Sequence, residues 1–89
     1  MSTYELTLIL QPEMTEEEAD VLIDKLGVDV TGRQKLGKRM FAYPINKQKE
    51  GNYILCDIKA PTQVLKDLDH KLRHDERIVR YLLIENNVN

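Results

Sequence analysis

Across 89 residues the chain has one cysteine, one phenylalanine, three prolines and no tryptophan. A lone cysteine cannot close an internal disulfide, which fits a reducing compartment. No apolar run approaches the roughly 20 residues of a membrane-spanning helix, and the acidic stretch from Glu13 to Glu18 is unlike a signal or transit peptide. The expectation is a soluble, unprocessed chain forming one domain over residues 1–89, long enough for a single modest core and too short for two. Groupings for covalent or metal chemistry are also missing. His70 and His74 are spaced i, i+4, but no third ligand stands where it would complete a metal site. Cys56 lies mid-strand between apolar neighbours, a packing position rather than a nucleophile's. Glu16, Glu17 and Glu18 fall at a helix N-terminus, where the helix dipole accounts for them. No glycine-rich loop is present to cradle a phosphate. The chain reads as a non-enzymatic binding module without a cofactor or small-molecule substrate.

What is present is a charge asymmetry hidden in a net charge of -2. Residues 1–32 carry eight acids and one base, and residues 33–89 carry twelve bases and seven acids. Any contact with a polyanion is therefore expected on one side of the molecule.

The apolar periodicity gives alternating strands and helices. Thr3 to Leu10 sets Leu6, Leu8 and Leu10 against Glu5 and Thr7, the period of a half-buried strand. Thr15 and Glu18 form a capping box, with Met14 and Ala19 placed to staple it. Ala19, Leu22, Ile23 and Leu26 then repeat at helical spacing until Gly27 stops the helix. Gly32 reads as a break, so strand two is expected at about Lys35 to Ile45 and strand three at Asn52 to Ala60, joined as a hairpin. Pro61 opens a second helix with Val64, Leu65, Leu68 and Leu72 on one face, and Ile78 to Glu85 is the last strand. The order βαββαβ predicts an α+β, ferredoxin-like sandwich: a four-stranded antiparallel sheet with two helices on one face. Tyr4-x-Leu6 before Pro12 echoes Tyr53-x-Leu55 before Pro61, but the two strands are one step out of register, so the echo is fold symmetry at most.

Helices on one face leave the other open. Strict alternation puts Met40 and Ala42, Tyr53 and Leu55, and Ile9 on that open face, a candidate partner-binding surface. The same alternation turns Arg39, Phe41, Tyr43 and Ile45 toward the helices, with Phe41 in the core, and puts Lys38 with Met40 and Ala42 on the open side, at the surface. Candidate RNA contacts are Lys35, Lys38 and Arg39 leading into and along strand two, Lys47 and Lys49 in the following turn, and Arg73, Arg77 and Arg80 between helix two and strand four; Arg33 precedes the first group.

The string Gly37-Lys38-Arg39 through Ala42-Tyr43-Pro44-Ile45, followed by Gly51-x-Tyr53, resembles the signature of the bacterial small-ribosomal-subunit protein six family. Tyr4-Glu5, Pro12 before Thr15-Glu16-Glu17-Glu18, Ala60-Pro61, and Leu72-Arg73-x-Asp75-Glu76-x-Ile78-x-Arg80-Tyr81 extend the match nearly end to end. The resemblance implies the same fold and a structural role in the small subunit of a cytoplasmic or organellar ribosome. It further implies binding to the central domain of the small-subunit ribosomal RNA as a heterodimer with ribosomal protein eighteen. On that basis Lys38, Arg39, Arg73, Arg77 and Arg80 are RNA-side candidates. The stretch from Thr15 to Gly37 is several residues shorter than the family's usual length, and the tail after Glu85 is only Asn86-Asn87-Val88-Asn89.

Two other readings share the fold. An RNA-recognition motif is echoed by Lys49-Glu50-Gly51-Asn52-Tyr53-Ile54, but Leu55 or Cys56 stands where its second stacking aromatic belongs. A small-molecule regulatory domain or acyl-phosphate hydrolase would need an anion-binding arginine after strand one, where this chain has Gln11-Pro12-Glu13.

Overall fold

The structure, a computed structural model, describes residues 2–45 and 48–86, without the side chains of Pro44, Ile45 and Gln48. In β1 (Ser2–Leu10) the alternation of leucine with polar residues buries Leu6, Leu8 and Leu10 completely. α1 (Glu16–Asp24) begins on the expected capping box. Thr15 Oγ1 accepts from the Glu18 N–H at 3.1 Å, and Glu18 Oε1 accepts from the Thr15 N–H at 3.0 Å. The Thr15 backbone N–H and, next, its hydroxyl, both donating to Glu18 Oε1, hold that carboxyl below its ordinary value. Gly27 follows the helix at φ 74°, in the left-handed region that ends helices. β2 (Asp29–Ile45) and β3 (Gln48–Ala60) form a long hairpin, and a 3-10 turn (Thr62–Val64) leads into α2 (Leu65–Arg73) and β4 (Ile78–Asn86).

The four strands make one antiparallel sheet in the order β2-β3-β1-β4, the ferredoxin-like α+β arrangement. Its core lies between the sheet and the two helices: Leu6, Leu8, Leu10, Ile54, Cys56 and Ile58 meet Ala19, Leu22, Ile23, Leu68 and Leu72. Truncating any one of the fully buried leucines to alanine is expected to cost ~2–5 kcal/mol. Burial among these residues pushes the Cys56 thiol up from its ordinary pKa, consistent with a packing role. Tyr4 is buried in this core, whereas Tyr53 stands on the opposite face, so the Tyr-x-Leu echo is indeed out of register.

Two features of β2 differ from the sequence reading. The strand starts at Asp29 rather than Lys35, because Gly32 is absorbed at a shift in register opposite Asp57 instead of breaking the strand. A second shift puts Lys35 opposite Ile54 and Gly37 opposite Tyr53, leaving Leu36 as an extra residue, with Gly37 at φ 82°. This β-bulge resets the alternation. Cross-strand partners share a sheet face, so Arg39, opposite Gly51, lies on the open side, and Met40, opposite Glu50, lies on the other.

The expected facing of the strand's second half is thereby corrected. Phe41 is not in the core; it is half-buried on the open side, its ring 6.2 Å from that of Tyr53. Tyr43 and Arg39 are exposed rather than turned onto the helices. Lys38, opposite Asn52, and Met40, opposite Glu50, do not share a face with Tyr53 and Leu55, and Ala42 is exposed in a stretch where β2 and β3 have no paired register. The expected facing of Ile45 lies outside the described side chains, and Lys47 lies outside the described residues.

Candidate nucleic-acid interface

The cations of β2 meet two different surroundings. Arg33 and Lys35 stand opposite Cys56 and Ile54, on the helix face, where α1 presents Asp20, Asp24 and Glu16. Arg33 donates to Asp20 at 3.0 Å and also to Asp24, while Lys35 reaches Asp20 at 3.2 Å and Glu16 at 3.7 Å. The hydrogen bond to Asp24 pushes the Arg33 pKa up, and the bond from Lys35 holds the Asp20 carboxyl below its ordinary value. Further along the same hairpin, Lys38, Arg39 and Lys49 are exposed and make no ion pair among the described residues.

The arginines of the other edge divide in the same way. Arg77 is clamped by the Asp75 carboxylate at 2.9 and 2.7 Å, which raises the arginine's pKa and lowers the aspartate's. Arg73 donates to Asp69 at 2.9 Å, and Asp69 also accepts from the Tyr81 hydroxyl, tying α2 to β4. That bond to Asp69 raises the Tyr81 pKa. Arg80 stands opposite Ile9 on the open face, exposed and without an ion pair among the described residues.

Register gives the layout of the open face. One row across the sheet reads Gly37, Tyr53, Ile9 and Arg80; the next reads Gln34, Leu55, Thr7 and Leu82; the third reads Gly32, Asp57, Glu5 and Ile84. Arg39 and Phe41 lie beyond the first row, where a side chain on Gly51 would collide with Ile9 Cγ2 at 2.5 Å and Phe41 Cζ at 2.7 Å. The face therefore grades from cationic at the hairpin end, through an apolar band, to a carboxylate pair, with Glu5 directly opposite Asp57. Leu82 and Ile84 in that band are 56% and 48% exposed. The pairing of β1 with β3 ends at Leu10 and Asn52, so the rest of the hairpin continues as a two-stranded ribbon past the end of β1.

Nothing in this arrangement resembles a reaction centre. No three His, Cys, Asp or Glu among the described residues are placed to hold a metal ion. The His70 and His74 rings stack at 4.2 Å, and His74 Nδ1 lies 2.9 Å from the His70 carbonyl oxygen. In the loop after β1, Gln11 donates to the Glu76 carbonyl at 2.8 Å, so it supports the fold where an acyl-phosphate hydrolase would need an arginine.

The sequence profile of the family described as Ribosomal protein S6 matches residues 3–85. The chain belongs to the ribosomal protein S6 family. This S6-family chain is 38% identical over 91 residues to the small ribosomal subunit protein bS6 of Desulforamulus reducens, covering 94% of itself and 96% of that relative. The bS6 protein of Carboxydothermus hydrogenoformans is 35% identical over 88 residues, with 91% and 92% covered. The crystal structure of ribosomal protein S6 from Thermotoga maritima superposes with a TM-score of 0.83 at 26% identity, over 96% of this chain and 87% of that one. The first alignment is longer than the 89-residue chain itself, so that relative carries residues missing here. The chain is a structural protein of the small ribosomal subunit and not an enzyme. No helix among the described residues is long and apolar enough to cross a membrane.

Sequence reasoning missed several S6-family surface residues. Leu82 and Ile84 were hidden because Leu82, Leu83 and Ile84 form an unbroken apolar run, which conceals parity. Such a run signals a strand covered on both faces. The Glu5–Asp57 pair was invisible without register. The signal for the reset of β2 was Gly37 itself, since an isolated glycine in a strand pattern marks a bulge.

Proposed function

We propose that this chain binds the central domain of the small-subunit ribosomal RNA, jointly with the basic ribosomal protein eighteen, in cytoplasmic ribosomes. The observation that carries the reading is the sorting of cations. Arg33, Lys35, Arg73 and Arg77 are held by the chain's own carboxylates, while Lys38, Arg39, Lys49 and Arg80 are left for an external anion. Phosphate contact needs unpaired cations close together, with little demand on shape; Arg39 and Arg80 share the open face, and Lys38, opposite Asn52, lies on the other side of the same ribbon. Lys35, Arg73 and Arg77 become RNA contacts only where a phosphate displaces their carboxylates, and Lys47 is proposed from its place in the sequence beside Lys49.

The apolar band suits the protein partner. Tyr53, Leu55, Leu82 and Ile84 offer apolar surface around a nearly buried Ile9, and Glu5 and Asp57 oppose each other with no ion pair to either among the described residues. Like charges directly opposite in a sheet are unfavourable, and a basic partner would relieve them. Met40 and Ala42 sit on the ribbon and belong with the cations rather than with this band. The test adds the chain to a central-domain RNA fragment with the basic partner at moderate salt. A gain in affinity is expected, and no gain removes the proposal.

A further inference from the structure

Three of the four tyrosines are accounted for by the fold: Tyr4 is buried, Tyr53 packs against Phe41, and Tyr81 donates to Asp69. Tyr43 is 82% exposed, on the ribbon that runs beyond the last residue of β1, where no third strand or helix can cover it. Lys38, Arg39 and Lys49, all free of ion pairs among the described residues, lie on the same ribbon. Pro44 follows directly, and a residue before proline is restricted to extended backbone, which limits the paths this part of the ribbon can take.

We propose that the Tyr43 ring stacks on an unpaired base of the ribosomal RNA. The inference rests on the RNA-binding reading above and makes the contact specific. Surfaces that bind single-stranded nucleic acid pair cations that follow the backbone with an aromatic face for a base. Paired bases inside an RNA helix have no free face, so the ligand is a loop, bulge or junction nucleotide. Phe41 cannot serve, because its ring is turned back over Gly51 and Tyr53.

The test titrates a central-domain RNA fragment with the full chain and its basic partner. Tyr43→Ala is expected to weaken binding by about ten-fold, the scale of one lost base stack, without changing the salt slope, and Tyr43→Phe to bind within about two-fold of the wild type. Hydroxyl-radical footprinting read by mass spectrometry should show residue 43 protected only once RNA is added. Wild-type affinity in Tyr43→Ala, or protection of residue 43 by the partner protein alone, overturns the stacking proposal while RNA binding itself stands. Failure of the wild type to bind RNA removes both readings.

Discussion

Arg33 and Arg39 lie six residues apart on one strand and have opposite fates. Arg33 is consumed by two α1 aspartates, and Arg39, on the open side of the sheet, makes no ion pair among the described residues. The acidic N-terminal third thus does more than offset the charge of the remainder. It neutralises Arg33 and Lys35 and leaves Lys38, Arg39, Lys49 and Arg80, toward the hairpin end, without ion pairs among the described residues. Net charge conceals this division, because attraction for a polyanion depends on unpaired cations and their position.

The largest expected effect tests the free set. Reversing Lys38, Arg39 and Arg80 to glutamate should weaken RNA binding by about a hundred-fold or more and lower the salt slope by about two to three, since each lost phosphate contact removes nearly one released counterion. An unchanged slope would place the RNA elsewhere.

The next test attacks the device that divides the strand. Gly37→Val forces a β-branched residue into a φ of 82° and is expected to cost ~1–3 kcal/mol in denaturant unfolding. Gly37→Asn should cost less, because asparagine tolerates that region. Equal, negligible losses for both would mean that the bulge relaxes freely.

Smaller effects sharpen the paired set. Asp20→Asn with Asp24→Asn should lower stability by under about 1 kcal/mol, as exposed ion pairs do, yet raise the salt slope for non-specific RNA by about one as Arg33 is freed. The pH dependence has a defined sign. The folded-state pKa of Asp20 is depressed below 3.8, so its contribution is complete above that value and is lost as pH falls through the depressed one. Unfolding midpoints from pH 6 down to pH 2 should fall less steeply in the double variant than in the wild type. The smallest effect concerns the acid pair: Asp57→Asn should stabilise the free chain by a few tenths of a kcal/mol while weakening capture of the basic partner. Undiminished capture would remove Asp57 from that interface.

Much of the fold was legible because local rules and tertiary packing agree. The Thr15 capping box, the Gly27 stop and the Leu6-Leu8-Leu10 stripe each state a local requirement that the packed structure also meets. The candidate site was legible as a set of residue types and not as a surface. Whether a lysine meets solvent or a carboxylate depends on which element packs over it, and α1 reaches Arg33 and Lys35 only through the tertiary fold. The facing of Phe41 and Met40 failed for another reason. Period-two counting holds only while every residue has its own partner, and β2 twice sets two residues against one.

Those two extra residues, Thr31 and Leu36, divide β2 by odd and even numbers. Val30 faces the helices, and after Thr31 the odd positions Arg33 and Lys35 do so; after Leu36 the even numbers resume with Lys38. In a strand of unbroken alternation Arg33, Lys35 and Arg39 would all stand on one side. The bulges act as two changes of step, so a single segment can brace a helix with its first cations and present later ones elsewhere. A single-residue insertion or deletion in this stretch is therefore a change of which side the hairpin addresses, unless a bulge absorbs it.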